Sequence, residues 1–344
     1  MEKIVNEEIR KGLTETGDNL YHWLESAPEA EQEICCGTCD ETCVEEHLEV
    51  IHDALEKIDE GTFGICEICN QPVDDELLRM DYTATVCLGH YTEAELRQLE
   101  SELEMSQIVQ RSLLPQQAPS IPGMNIAGFS RAAQIVGGDY FDFIQFKDGT
   151  HGIVMADVSG HGVSAGMMMT SLQTAFHTLV PDADSPLDVL ERINRLYVHN
   201  VNFTTFVTIF FAKFDPSTRI LTYANAGHNS AYLYKTAKKE ETWLQPTGPA
   251  IGLMEKFNVG MQEVELKDED ILLLYTDGIT EASNPQGEQF GAGRLADVVR
   301  QNTQLTAHEL ANTLLLKVND FTGVKGFVDD ITIVASKVGS QYSN

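Results

Sequence analysis

The chain has 344 residues, 42% of them hydrophobic and 8% aromatic, a length and composition that allow two or three compact units or one large sandwich and exclude wholesale disorder. Its formal net charge is −30, carried unevenly: residues 1–112 hold 28 Asp/Glu against 7 Lys/Arg. So acidic a first third repels polyanions, which excludes direct binding to nucleic acid and points to a protein partner.

Residues 1–26 read as a mostly polar helix broken at Ser26-Ala27-Pro28, and residues 44–59 resume helical spacing through Leu48, Ile51, Leu55 and Ile58. A helical hairpin is the natural reading. The first residues lack the apolar core of a signal peptide, and the greasiest run, residues 203–212, is too short to span a bilayer. A soluble cytoplasmic protein with no membrane contact is expected. All seven cysteines fall within residues 35–87, an odd number that suits reduced thiols better than a disulfide framework.

Cys66-x2-Cys69 and, after seventeen residues, Cys87-x2-His90 place four ligands on two tight turns that can close a tetrahedron. With no position left for water, the expected Zn2+ is structural. Cys35, Cys36, Cys39 and Cys43, with His47 one turn further on, have three open readings: a second metal or iron–sulfur cluster, a thiol switch, or clustered thiols with no partner. The hairpin, the lead-in Glu60-Gly61-Thr62-Phe63-Gly64-Ile65-Cys66 and the knuckles make residues 1–100 resemble the DksA/TraR zinc-finger family. That resemblance implies contact with RNA polymerase through acidic residues at the hairpin tip, where this chain carries the cysteine cluster instead.

The next helix, residues 92–114, bears Leu96, Leu99 and Leu103 at 3,4 spacing, then shifts phase to Ile108, Val109 and Leu113 before Pro115 stops it. The stripe has two readings, a short coiled coil joining a homodimer or a face packed on the following domain. After Gly123 the pattern turns to strands, at residues 125–131, 140–146, 152–157, 206–214, 220–225, 231–234, 262–266, 271–275 and 331–335. Helices are expected at 162–179, 187–199, 293–301 and 306–319. Paired helices between groups of hairpin-linked strands predict an α+β fold, an α-β-β-α sandwich of two antiparallel sheets flanked by helices, behind a small helical-hairpin zinc-finger domain. The expected domains are 1–91 for the hairpin and zinc finger, 92–122 for the helical linker, 123–338 for the sandwich and 339–344 for a tail.

Four short motifs put carboxylates at strand ends: Gly137-Gly138-Asp139, Ala156-Asp157-Val158-Ser159-Gly160, Tyr275-Thr276-Asp277-Gly278 and Val328-Asp329-Asp330-Ile331. Each alone reads as a turn, since Asp caps backbone amides and Gly permits unusual dihedrals. Asp157, however, directly follows the apolar run Ile153-Val154-Met155-Ala156, and Asp277 follows Ile271-Leu272-Leu273-Leu274-Tyr275 after Thr276, so buried strands deliver both to one end of the core. Gathered carboxylates repel unless cations neutralise them, and hard oxygen ligands favour Mg2+ or Mn2+. Two such ions can activate a water for phosphoryl transfer, so no nucleophilic side chain is needed. The region offers none of the usual ones: there is no cysteine after Cys87 and no P-loop.

Six ordered motifs then carry a second resemblance: Gln110-Arg111-Ser112-Leu113-Leu114-Pro115, Gly137-Gly138-Asp139-Tyr140-Phe141-Asp142, Ala156-Asp157-Val158-Ser159-Gly160-His161-Gly162, Asn225-Ala226-Gly227-His228-Asn229, Leu274-Tyr275-Thr276-Asp277-Gly278-Ile279-Thr280-Glu281 and Asp329-Asp330-Ile331-Thr332. Over residues 107–338 the chain resembles the SpoIIE/RsbU branch of the type 2C protein phosphatases. The resemblance implies a metal-dependent enzyme that removes phosphate from Ser or Thr of a partner protein similar to a phosphorylated anti-sigma-factor antagonist. By position it implies Asp139, Asp157, Asp277 and Asp329 as carboxylate ligands of two Mg2+ or Mn2+ ions, with the Val158 carbonyl binding through its backbone. Asp330 stands where relatives often have Asn and is expected behind the ligands. His161 is read either as a proton donor to the leaving oxygen or as a turn-stabilising residue, and His228 as structural. The branch is commonly governed by sensor modules acting through a connecting helix, the place that residues 92–114 occupy here.

Two other readings compete. Gly137-Gly138-Asp139-Tyr140-Phe141 has a superficial likeness to the diguanylate cyclase signature, but Tyr140 replaces the expected Glu and the Asp277 and Asp329 motifs go unexplained. The other is a noncatalytic DksA/TraR-like polymerase regulator with a phosphatase-like scaffold; the intact aspartate set argues against it.

Overall fold

The computed structural model describes residues 9–10, 13–14, 41–74, 77–78, 83–133, 135–160, 162–200, 206–254, 256–323 and 329–339. The first arm of the expected hairpin lies outside these apart from residues 9–10 and 13–14, as do Cys35, Cys36, Cys39 and His161. By their contacts the residues divide into two compact units, residues 1–101 and 102–344.

In the first unit, helix α1 (Glu41–Glu60) buries Leu48, Ile51 and Ala54. Ile51 and Ala54 cluster with Phe63, Cys66, Val73 and Leu78 into a small core. Gly61, at φ 70°, turns the chain out of the helix. The first knuckle closes through Cys66 N–H on the Gln71 carbonyl (2.9 Å) and Asn70 N–H on the Cys66 carbonyl (2.8 Å). The second is a turn of 3-10 helix, Leu88–His90. Helix α2 (Glu93–Leu113) starts at a capping box: Thr92 N–H donates to Glu95 Oε2 (2.7 Å), and Glu95 N–H donates to Thr92 Oγ1 (3.3 Å).

Among the described residues the second unit has ten strands: β1 (Met124–Arg131), β2 (Tyr140–Gln145), β3 (His151–Val158), β4 (Val207–Asp215), β5 (Ile220–Ala226), β6 (Ala231–Lys235), β7 (Glu240–Leu244), β8 (Gln262–Glu265), β9 (Ile271–Tyr275) and β10 (Ile331–Val338). They form two antiparallel five-stranded sheets, ordered β1-β10-β9-β6-β7 and β2-β3-β4-β5-β8. Helices α3 (Gly162–Leu179) and α4 (Pro186–Asn200) share a core with β2–β5. The short α5 (Asp277–Thr280), α6 (Gly291–Gln301) and α7 (Ala307–Thr322) follow β9, and α6 and α7 pack with β6, β9 and β10.

Strand periodicity explains the four layers. Along β3, Ile153 and Met155 point into the core between the sheets, while Val154, Ala156 and Val158 face α3 and α4. Along β9, Leu272 and Leu274 face the other sheet, while Ile271, Leu273 and Tyr275 face α6 and α7. Strands covered on both faces must be apolar at every position, which is why they appear in the sequence as unbroken hydrophobic runs. The fold is the two-sheet sandwich flanked by helices expected from strand order. Strand β7 and helix α5 were not anticipated: Glu240, Glu241 and Thr242 lie exposed on an edge, where no apolar alternation is required.

Candidate active site

The two sheets bring five aspartates to one end of the sandwich. Asp139 immediately precedes β2 and Asp157 is the penultimate residue of β3; the pairing Tyr140↔Ala156 sets the two opposite each other. From the other sheet, Asp277 follows β9 by two residues and Asp329-Asp330 directly precede β10, with β9 and β10 paired as neighbours.

These carboxylates act on one another. Burial, then the charge of Asp157, pushes Asp139 well above the usual carboxylate range. Burial followed by Asp277, Asp329 and Asp330 raises Asp157 to about 7. Asp277 is raised by burial, then by Asp329 and Glu281. A set of hard oxygen donors raised first by burial and then by one another's charge fits divalent cations.

Asp330 has a different environment. Its Oδ1 accepts the Ala133 amide and its Oδ2 the Gly138 amide, each at 2.7 Å, so both oxygens hold the loop that presents Asp139. Three glycines make this packing possible. A Cβ would lie 2.3 Å from Asp330 Oδ2 at Gly137, 2.8 Å from the Val158 carbonyl at Gly138, and 2.0 Å from the Asp330 carbonyl at Gly278. The same loop is gripped by α2: Gln110 Nε2 donates to the Gly137 carbonyl (2.7 Å), Gln110 Oε1 accepts the Gly137 amide (3.0 Å), and Gln107 Nε2 donates to the Ile135 carbonyl (2.8 Å). Sequence reasoning included Gln110 in a motif but could not give it a role, because its partner is the backbone of a loop 27 residues away.

Two further residues brace the strand ends. Ser159 Oγ accepts the Phe206 amide (2.8 Å) and Ser159 N–H donates to the Phe206 carbonyl (2.9 Å), tying the turn after β3 to the start of β4. His228 is 3% exposed and its Nδ1 lies 2.8 Å from Thr208 Oγ1, on the residue of β4 paired with Asp157. Burial lowers His228 to about 4, which leaves it neutral near pH 7. A groove of about 600 Å³ opens beside Asp139 and Asp330, with Arg111, Arg131, Phe129 and Ile135 among its lining residues.

In the first unit, ligand atoms of Cys66, Cys69, Cys87 and His90 all lie within 4.8 Å of one another; among the described residues this is the one group so compact. Cys69 Sγ and Cys87 Sγ are 3.8 Å apart, and a tetrahedron with Zn–S bonds of about 2.3 Å separates its sulfurs by about 3.8 Å. The Cys87 amide, outweighing burial, lowers Cys66 to about 6, whereas burial and then the neighbouring thiols raise Cys87 to about 11. Three thiols so close favour a cation among them.

The second unit's architecture is that of a PP2C-type phosphatase. The SiaA-PP2C domain of Pseudomonas aeruginosa superimposes with a TM-score of 0.63 over 72% of this chain and 100% of that domain, at 23% identity, a likeness of fold. Residues 147–339 match the family of Stage II sporulation protein E (SpoIIE), and the chain belongs to that family. It is an enzyme of the protein serine/threonine phosphatase class. Phosphoserine phosphatase RsbU of Bacillus subtilis (strain 168) is 27% identical over 274 residues, which cover 76% of this chain and 79% of that protein. Phosphoserine phosphatase RsbP of the same organism is 26% identical over 182 residues; the match covers 52% of this chain and 45% of RsbP.

Proposed function

We propose that the chain hydrolyses phosphoserine or phosphothreonine on a partner protein resembling an anti-sigma-factor antagonist, with Asp139, Asp157, Asp277, Asp329 and the Val158 carbonyl holding two Mg2+ or Mn2+ ions. The observation that carries this is the convergence, from both sheets, of Asp139, Asp157 and Asp277, which burial and neighbouring carboxylate charge hold away from ionisation. When bound, divalent ions supply Lewis acidity, making a water nucleophilic near neutral pH and offsetting charge on the phosphoryl oxygens. The residues of the chain supply placement. Asp157 presents its oxygens from the end of β3 and Asp277 from the first residue of α5, just past β9, and Asp330 fixes the loop that carries Asp139. Arg111 and Arg131, in the groove beside them, complement the charge of a phosphorylated segment.

The first unit regulates. One structural Zn2+ on Cys66, Cys69, Cys87 and His90 stabilises a module whose core is small, and α2 leads from it to the Gln110 clamp on the Asp139 loop. Along α2, Met105 is 60%, Ile108 60% and Val109 52% exposed, an apolar stripe that suits a second copy of the chain. Light scattering on the full chain tests that dimer: a monomer at micromolar concentration removes it.

Hydrolysis of a generic phosphate ester with Mn2+, comparing the native chain with Asp157→Asn and Asp277→Asn, tests the site. Each variant is expected to lose turnover while keeping its fold. Full activity in both would refute the assignment, and absent turnover in the native chain together with capture of RNA polymerase would favour the noncatalytic reading.

A further inference from the structure

Thr276 occupies the N-cap of α5 with extended backbone (φ −91°, ψ 163°), the position where a threonine ordinarily turns its hydroxyl onto the first amides of its own helix. It makes no such bond. Its Oγ1 instead donates to Asp139 Oδ2 at 2.7 Å. The same oxygen accepts the Thr332 amide at 3.0 Å, and the Thr276 amide donates to the Thr332 carbonyl at 3.1 Å. An amide can only donate, so the hydroxyl must accept from Thr332, and its single proton is left for the carboxylate. Thr276 is 1% and Thr332 0% exposed, which leaves no room for water to replace either bond. One hydroxyl thus joins three segments far apart in sequence: the end of β9, the start of β10 and the residue before β2.

A buried threonine more often satisfies its hydroxyl wherever it can, and then valine replaces it with a loss of stability alone. Here the diverted cap and the carboxylate acceptor point elsewhere. We propose that Thr276 is a positioning residue, its hydroxyl acting beside the Thr332 side chain, which also bonds Asp139, to hold that carboxylate in the orientation that receives a divalent cation. This rests on reading Asp139 as a metal ligand. Hydrogen-bond partners of ligating carboxylates typically change metal affinity ~10–100-fold when removed.

The test is a Mn2+ titration of the full chain followed by thermal shift, together with kcat and KM on a generic phosphate ester at saturating Mn2+. Thr276→Val is isosteric and lacks the hydroxyl, and its Mn2+ midpoint is expected to rise ~10-fold or more. Thr276→Ser keeps the hydroxyl and should restore the native midpoint, with KM for the ester unchanged in both. A purely structural role lowers the metal-free melting temperature and leaves the midpoint where it was, and that result overturns the proposal. So does a serine variant that behaves like valine. If Thr276→Val yields no folded protein, Thr276→Ala carries the same comparison against serine. Asp139→Asn separates the two layers of the reading: an unchanged midpoint there refutes the ligand assignment. Loss of response in Asp139→Asn beside a native midpoint in Thr276→Val refutes only the role of Thr276.

Discussion

Replacing Asp157 by asparagine should stabilise the metal-free protein at pH 8 while abolishing its stabilisation by Mn2+. The folded site raises Asp157 from 3.8 to about 7. Each unit corresponds to ~1.4 kcal/mol, so ionising this group inside the fold costs up to ~4 kcal/mol more than in the unfolded chain, reduced toward ~2 because the side chain is only partly buried. The sign follows from proton binding. Between pH 3.8 and about 7 the native state holds the proton longer than the unfolded state, so stability is fully present below the lower value, falls as pH rises through this window, and levels off above it. Asparagine cannot ionise and escapes that loss. Metal-free thermal melts of both proteins at pH 4 and pH 8 should therefore differ little at the acid end. At the alkaline end they should differ by several degrees in favour of the variant, at ~2–4 °C per kcal/mol for a domain of this size. Adding Mn2+ should raise the native melting temperature at pH 8 and leave the variant unmoved. A variant that melts below the native chain at pH 8 without metal would refute the view that uncompensated charge is what the site carries.

Asp330→Ala removes the acceptor of two backbone amides and should cost about 2–4 kcal/mol of stability in urea melts, with ester turnover reduced through the loosened Asp139 loop; native turnover would show that Asp330 holds nothing of consequence. Gly278→Ala places a Cβ against the Asp330 carbonyl, and a loss of about 1–3 kcal/mol is expected, with a weaker Mn2+ response. Elemental analysis should return one zinc per chain. Its removal by chelation should abolish amide-exchange protection around Cys66 and Cys87 while the sandwich keeps its melting transition; a single joint loss would show that the two units do not fold separately.

Much of this architecture is legible in the amino-acid order because its cause is local. The unbroken runs at Ile153–Ala156 and Ile271–Tyr275 announce strands covered on both faces. Cys66-x2-Cys69 and Cys87-x2-His90 announce two turns able to meet on a metal, and an aspartate one or two residues behind each buried run announces a carboxylate at the end of a core. Local order could not show that β1 and β10, some 200 residues apart, lie side by side, or that β7 closes an edge with exposed glutamates. Asp329 and Asp330, adjacent residues of one type, are told apart in the sequence only by the family resemblance, which sets Asp330 behind the ligands; the fold supplies the physical reason, turning both its oxygens to backbone amides of a loop from the other end of the domain. Thr276 shows the division most clearly. Its sequence neighbourhood gives it no role, since the short helix α5 that it precedes has no periodic signature of its own. Only closure of the sandwich brings Asp139 within 2.7 Å to accept from the Thr276 hydroxyl, and sets the Thr332 amide, at 3.0 Å, on the oxygen that a cap offers to its own helix.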